Sequence, residues 1–194
     1  TEWYTVVTTN EGMPIVASSI HRQRLDALLD HNTDLSAFKR SVEQDTPLPQ
    51  HEEVLYQAQP QKYTGGLSLS YNQSLGGPNA FVLYQVAANY DADYHFTPNL
   101  WWSGDVSANL LNNYDKFTYD APSNLPRVRT YVREYLTSSR ITMPDFQLTA
   151  SRRLGSDLYG LVYAGMLESM YGGVGGEVLY RPMGERWAVG MDAN

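Results

Sequence analysis

Two aspartates and a histidine alternate along one stretch of the chain, at Asp91, Asp93 and His95. Side chains spaced by two lie on one face of a β-strand, so their carboxylate and imidazole groups would converge as metal ligands. A polar strand face that runs into water gives the same pattern without an ion, and we favour that interpretation. Because His21, His31 and His51 lack metal-ligand spacing, we expect no metal and no cofactor.

Carboxylates at Asp105, Glu168 and Glu177 are of the type that cleaves glycosides, but sequence spacing does not fix their separation in space. The glycine-rich run 171–177 lacks the Lys-Ser/Thr of a phosphate loop. It predicts a hairpin tip that needs positive φ, or a place where another segment packs closely on a sheet. Gly-x-Ser-x-Gly and His-Glu-x-x-His are both absent. We therefore expect a protein that is not an enzyme.

The same polar residues fit the mixed-charge wall of a water-filled channel. Arginines at 127, 129 and 133 are suited to grip an anionic sugar polymer, or to pair with acids at 115, 120 and 134. An aromatic ring such as Trp101 can stack on sugar rings. Our candidate ligand-binding lumen residues are Trp101, Asp105, Asn109, Arg129, Arg133 and Glu177. The assignment depends on strand parity, which a one-residue slip inverts.

Composition narrows the class of protein that positions these residues. The chain has 194 residues, is 42% hydrophobic, contains no cysteine and carries a net charge of −7. That excludes a disordered tail, a disulfide scaffold and a thiolate zinc site, and it argues against nucleic-acid binding. No apolar stretch approaches the roughly 18 residues of a spanning helix. A β-barrel stays open, since its strands face lipid only at alternate positions.

The first region, residues 1–57, holds nine acidic and four basic residues, whereas 58–194 holds twelve and ten. A strand is predicted over Trp3–Thr9, followed by a turn at 10–14 and a helix from Ile20. A second helix, Leu35–Val42, is predicted with Asp34 as its cap, ending before two prolines. We interpret this region as a small, water-soluble α/β module.

The second region, residues 58–194, alternates with period two. Val82–Phe96 carries Val, Ala, Tyr and Phe on one face and Gln, Asn, Asp and His on the other, and Leu100–Leu110 repeats the pattern. Further strands are predicted over 65–73, 146–151, 159–167, 174–180 and 187–191. Fifteen residues is long for a soluble strand, and aromatics gather near strand ends, as membrane interfaces require. These features favour antiparallel up-and-down strands of an outer-membrane β-barrel.

Strand parity extends this interpretation. In an up-and-down barrel, successive connections alternate between the two sides of the membrane. The tight turns 97–99, 154–157 and 182–185 fall on one side if residues 128–153 form one long strand with a bulge near Pro144. The connections 76–79, 112–126 and 171–173 then face the other way. A hairpin within 128–153 is the alternative, and it would break the parity.

Two stretches, residues 110–130 (LLNNYDKFTYDAPSNLPRVRT) and 167–182 (LESMYGGVGGEVLYRP), resemble the YjbH/GfcD family of bacterial outer-membrane proteins linked to exopolysaccharide and group 4 capsule secretion. The resemblance runs from about Gly65 to Asn194 and is less distinct before it. It implies a much larger protein with β-barrel regions, so we expect this chain to be an excerpt. It offers no catalytic residues to carry over.

Together these observations predict a β-barrel component that walls an aqueous passage for a secreted polysaccharide, with residues 1–57 in the periplasm. The expected partners are the polysaccharide, outer-membrane lipid and other secretion proteins, and not nucleic acid. One alternative is a non-conducting outer-membrane anchor that recruits secretion partners. Another is a soluble β-sandwich that binds glycans, in which a second sheet would cover the apolar strand faces.

Overall fold

The computed structural model describes residues 2–47, 53–59, 61–75, 80–117 and 132–194, which form two antiparallel sheets. The three-stranded sheet contains β1 (Trp3–Asn10), β2 (Met13–His21) and β3 (Glu43–Asp45). The seven-stranded sheet contains β4 (Tyr63–Leu75), β5 (Val82–Thr97), β6 (Leu100–Asn112), β7 (Ile141–Arg153), β8 (Leu158–Glu168), β9 (Tyr171–Tyr180) and β10 (Val189–Ala193). The predicted mainly β, antiparallel class is confirmed.

Three α-helices and one 3₁₀ helix accompany the strands. They are α1 (Arg22–Leu29), α2 (Leu35–Arg40), α3 (Val132–Ser138) and the 3₁₀ helix Tyr114–Lys116. Throughout the described ranges, every helix is too short or too polar to cross a membrane.

The N-terminal module begins with a hairpin. Its two-residue turn, Glu11–Gly12, has φ values of 46° and 70°, the backbone of a type I′ turn. The predicted cap is confirmed, because the Asp34 carboxylate accepts a hydrogen bond of 2.6 Å from the Ala37 amide. The predicted start of the first helix at Ile20 is wrong by two residues. Ile20 and His21 belong to β2, and the His21 ring caps α1 by accepting from the Gln23 amide.

The second sheet is a meander in which each strand pairs with its sequence neighbour, in the order β10-β9-β8-β7-β6-β5-β4. Because β5 and β6 alternate strongly, the predicted ends of both strands agree with the observed ends to within two residues. The strands β4 to β8 have 11 to 16 residues each. The predicted boundary between the two regions, at residues 57 and 58, stays a prediction.

Residues 128–153 form neither the predicted single strand nor a hairpin. Residues 118–131 lie outside the described part, Val132–Ser138 is helical, and the strand begins only at Ile141. A tertiary contact favours the helix, since the Asn109 side-chain amide donates to the Leu136 carbonyl at 3.2 Å. The predicted bulge is confirmed, because the β6–β7 register shifts where Val106 faces Met143 and Pro144.

The parity of the connections is as predicted. The connections 98–99, 154–157 and 181–188 lie at one end of the sheet, hereafter the tight-turn end, because consecutive strands are antiparallel. The hairpin tip predicted near residues 171–173 is wrong, since these residues already belong to β9. The turn is Ser169–Met170, with Met170 at φ 75°. The other predicted role of these glycines, close packing by another segment, is found at Gly175, where a Cβ would collide with the Tyr163 ring. The predicted connection 76–79 lies outside the described residues.

Candidate functional site

The register of the seven-stranded sheet separates its side chains into two faces. One face, hereafter the apolar face, carries large hydrophobic side chains that are mostly exposed. Examples are Leu67, Leu69, Val106, Leu148, Val162, Val174 and Met191. Leu67 and Leu69 remain 78% and 75% accessible. A water-soluble sheet would bury such a face, because apolar surface is driven out of water.

The opposite face, hereafter the polar face, contains most of the burial. The side chains of Gln85, Ser107, Thr149 and Ser151 are buried there. The three hydroxyl groups have partners: the Ser107 hydroxyl donates to the Asn89 side-chain oxygen at 2.7 Å, the Gln147 amide donates to the Thr149 hydroxyl at 2.8 Å, and the Ser151 hydroxyl donates to the Glu11 carbonyl. Elements of the chain therefore pack over the polar face, and among the described elements none packs over the apolar one.

Acidic residues form a row across the polar face. Asp91 on β5 lies opposite Asp105 on β6, which lies opposite Asp145 on β7. Adjacent strands are about 4.8 Å apart, so three carboxylates stand side by side without an intervening base, an arrangement that destabilises the pairing. Asp93 lies two residues from Asp91 on the same face. The row gives this part of the face a strongly negative potential.

A second row crosses five strands nearer the tight-turn end. It consists of His95, Trp101, Thr149, Tyr163 and Gly175, each opposite the next. The His95 and Trp101 rings stack, with centroids 5.7 Å apart and planes inclined by 24°. The imidazole nitrogens lie in the ring plane and take no part in this stacking contact, and the His95 Nδ1 atom is buried without a hydrogen-bond partner among the described residues. Within the described ranges, no group of three or more His, Cys, Asp or Glu side chains is arranged to hold a metal ion.

Helix α3 covers the polar face away from the tight-turn end, and Asn113 extends the pairing of β5 in the plane of the sheet. Helix α3 is held by the hydrogen bond from Asn109 to the Leu136 carbonyl. Asn113, just after β6, serves as a substitute strand partner for β5. Its side-chain oxygen accepts from the Tyr84 amide at 2.7 Å, and its side-chain nitrogen donates to the Val82 carbonyl at 2.9 Å.

The β1–β2 turn docks on the polar face at the tight-turn end. The Glu11 carbonyl accepts two hydrogen bonds, from the Ser151 hydroxyl at 2.6 Å and from the Asn99 amide at 3.1 Å. A third tie comes from Arg153, whose guanidinium donates to the Pro47 carbonyl at 2.6 Å and to the carbonyls of Gly155 and Ser156. The N-terminal module is therefore attached to this end of the seven-stranded sheet.

The predicted site residues are spread over the polar face. On β6 the polar face carries Trp101, Asp105 and Asn109. Glu177 lies on the same face of β9, three strands away. Arg133 is in α3 and is half-buried. Arg129 and Arg127 lie outside the described residues. The role of this set as lumen residues stays a prediction.

Tyr163 and Asp192 also lie on the polar face, and the sequence did not single them out. Asp192 is opposite Glu177 on the neighbouring strand. Tyr163, Glu177 and Asp192 line a shallow cavity of about 250 Å³ together with Gly190 and Met191. Strand β8 is apolar on both faces, so alternation could not assign Tyr163 to one of them. The signal that was available is the glycine at 175, which makes room for a ring on the adjacent strand.

Comparison with known proteins identifies a family that matches this chain. A model described as "YjbH: Exopolysaccharide biosynthesis protein YbjH" matches residues 1–194. The chain belongs to the YjbH family. The "Uncharacterized lipoprotein YjbH" of Escherichia coli (strain K12) is 42% identical over 169 residues, which is 86% of this chain and 24% of that relative. This YjbH-family chain thus spans about a quarter of the relative's length, and no solved structure matches it. The resemblance seen in the sequence is confirmed at the level of the family.

Proposed function

We propose that the seven-stranded sheet is part of an outer-membrane β-barrel whose polar face lines an aqueous passage for a secreted polysaccharide. The observation that carries the proposal is the distribution of burial, with large apolar side chains exposed and polar side chains covered. In a membrane barrel the apolar face contacts lipid and the polar face lines the lumen. The family description, which names exopolysaccharide biosynthesis, supports a polysaccharide as the transported molecule.

Strand length supports the same proposal. On the apolar face of β5, Tyr84 and Tyr94 are ten residues apart, which is roughly 33 Å along the strand. At the usual tilt of about 40° this becomes roughly 25 Å, the height of the apolar band of outer-membrane barrels. Further aromatic side chains lie at the tight-turn end of this face, including Tyr63, Trp102 and Tyr180. They match the position of an interfacial girdle.

We orient the sheet by its longest connection, residues 113–140 between β6 and β7, because the two-residue turn 169–170 lies at that same end and the eight-residue connection 181–188 at the other. Outer-membrane barrels place their short turns in the periplasm and their longer loops outside the cell. The tight-turn end would then face the periplasm, and the docked N-terminal module would lie there, available to other secretion proteins. Seven strands are fewer than the eight of the smallest barrels. Closure would therefore need strands beyond β4 and β10, for which a protein of the relative's length has room.

A non-conducting anchor is the second candidate. The specific observation in its favour is the coverage of the polar face by α3 and the β1–β2 turn. If these segments fill the lumen, the barrel holds the module in place without passing polymer. The role in either case is one of transport or assembly, without a catalytic step.

Membrane fractionation of the full-length protein, a heat-modifiability gel and single-channel conductance form the test. An outer-membrane, heat-modifiable protein with stepwise conductance supports the passage, and the same protein without conductance supports the anchor. A full-length protein that stays soluble without detergent and without a lipid anchor would refute both.

A matched pair of variants tests which face contacts lipid. Leu69→Arg places a charge in the middle of β4 on the apolar face and should cost about 2–4 kcal/mol of membrane stability. Ser70→Arg, one residue away on the polar face, should assemble normally. Equal assembly of the two variants would contradict the assignment of faces.

The proposed passage also predicts a phenotype for a lumen residue. Asp105→Ala removes the central carboxylate of the acidic row and should change polymer export while the barrel still assembles. Export at the normal level from a fully assembled Asp105→Ala protein would remove this residue from the site.

A further inference from the structure

The polar face of β8, β9 and β10 combines an aromatic ring with two carboxylates beside a small cavity. The Tyr163 ring lies over Gly175, which has no side chain to displace it. Glu177 and Asp192 are opposite each other on β9 and β10, and both are exposed. The cavity they share, about 250 Å³, lies just below the range typical of drug-sized ligands. It suits a single sugar unit.

These groups match the two kinds of surface that a pyranose presents. One side of the ring exposes C–H groups that pack on an aromatic face, because an aromatic side chain combines apolar area with fixed geometry. The ring edge exposes hydroxyl groups, which donate strong hydrogen bonds to carboxylates. Tyr163 offers the first contact, and Glu177 with Asp192 offers the second.

A second stacking surface lies in the same row. Trp101 is two strands away from Tyr163, with Thr149 between them. Two strand spacings amount to roughly 10 Å, so a short oligosaccharide that passes over the buried Thr149 reaches both rings. The His95 ring stacked on Trp101 holds that indole in a fixed orientation.

The charge of the polar face selects among sugars. Its described strand residues include six carboxylates, at Asp91, Asp93, Asp105, Asp145, Glu177 and Asp192, and one arginine, Arg153. That arginine already donates to three backbone carbonyls. Along these strands a uronic-acid or other anionic sugar would meet mostly like charge, whereas a neutral sugar would not. Arg133 of α3 adds a half-buried positive charge over the same face.

We propose that Tyr163, Glu177 and Asp192, with Trp101 as a second stacking ring, form a binding site for uncharged pyranose units. The inference rests on the proposed function, because it names the polymer class that this passage accepts. It departs from the sequence-based expectation that arginines grip an anionic polymer.

The test measures binding of two oligosaccharides of equal length to the full-length protein in detergent, by calorimetry. A neutral glucose hexamer and a galacturonic-acid hexamer are the probes. At low salt the neutral hexamer should bind at least roughly tenfold more tightly than the galacturonic-acid hexamer. This difference in affinity should decrease at higher salt, because salt screens the carboxylates. Equal binding, preference for the uronate, or no binding of either probe would overturn the site.

Variants assign the effect to the named residues. Tyr163→Ala should weaken binding of the neutral hexamer roughly tenfold, while Tyr163→Phe retains it. Tyr71→Ala, on the apolar face of β4, is the matched control and should leave binding unchanged. Because Tyr163→Ala also removes the packing over Gly175, a second test combines the isosteric substitutions Glu177→Gln and Asp192→Asn in one variant. That double variant should lower the neutral-to-uronate affinity ratio at least threefold, and an unchanged ratio would contradict the proposal.

Conductance measured on the same preparation separates this inference from the proposed function. A conducting protein that prefers the uronate refutes the binding site and leaves the passage standing. A protein without conductance that prefers the neutral hexamer refutes the passage and retains the binding site.

Discussion

Replacing Gly12 with alanine should weaken the docking of the N-terminal module on the seven-stranded sheet. Gly12 has φ 70°, a backbone conformation that disfavours alanine by about 1–2 kcal/mol. A Cβ at this position would also come within 2.6 Å of the Asn99 side-chain carbon. The Asn99 amide must then move and lose its hydrogen bonds to the Glu11 carbonyl, 3.1 Å, and to the Ser151 hydroxyl, 3.4 Å.

The expected effect is a sizeable part of the docking energy. Loss of the two Asn99 bonds costs about 1–2 kcal/mol of docking, whereas the backbone strain at residue 12 is the same in the docked and the undocked turn. The three hydrogen bonds to the Glu11 and Pro47 carbonyls contribute about 1 kcal/mol each, so docking by these bonds is worth about 3 kcal/mol. The ratio of undocked to docked protein should therefore rise by a factor of roughly 5–30.

Spin labels at Thr8 and Glu185, both exposed, report the docking by pulsed distance measurement. The parent protein should give a narrow distance distribution, and Gly12→Ala should add a broad component to it. Adding Asn99→Ala removes the clash, so Gly12→Ala should be less damaging in that background than in the parent. A narrow, unchanged distribution in the Gly12→Ala single variant would refute the reasoning.

Three further outcomes are expected. Arg153→Ala should loosen the same docking, and Arg153→Lys should rescue it only in part, because an ammonium cannot reach all three carbonyls at once; the spin-label distances check this. Gly165→Ala should abolish heat-modifiable assembly, since its Cβ would overlap the Phe146 carbonyl, whereas Gly66→Ala, which has open space, should assemble; equal assembly would contradict the register of β7 and β8. Asn113→Ala leaves the Tyr84 amide and Val82 carbonyl without their side-chain partners, at about 1–3 kcal/mol. Hydrogen exchange at Tyr84 should then accelerate by roughly tenfold or more, and unchanged exchange would contradict the role of Asn113.

The strands with clean alternation were predictable from the sequence, and β5 and β6 show why. Each of their positions is either apolar or polar with little ambiguity, so the period of two fixes both type and face. Helix α3 was not predictable in this way. Val132 and Tyr135 favour strands by propensity, and a distant contact from Asn109 favours the helix instead.

The candidate site was predictable only where alternation was clear. Asp105 and Trp101 were placed on the polar face because β6 alternates, whereas Tyr163 sits on a strand without polar markers. The docking of the hairpin involves Glu11 and Ser151, 140 residues apart. Local patterns placed the first in a turn and the second in a strand, but they carry no information on the contact between them. The glycine run was misread at its start because glycine signals both a turn and close packing.

The glycines of β9 bear on the shape of any closed wall that this sheet forms. Gly172, Gly173, Gly175 and Gly176 leave the first half of that strand with few side chains on either face, and Gly165 lies opposite Gly173 on the neighbouring strand. Glycines are among the positions where barrel strands bend. Curvature of this sheet should therefore concentrate at β8 and β9 rather than at β5 and β6, whose side chains fill both faces.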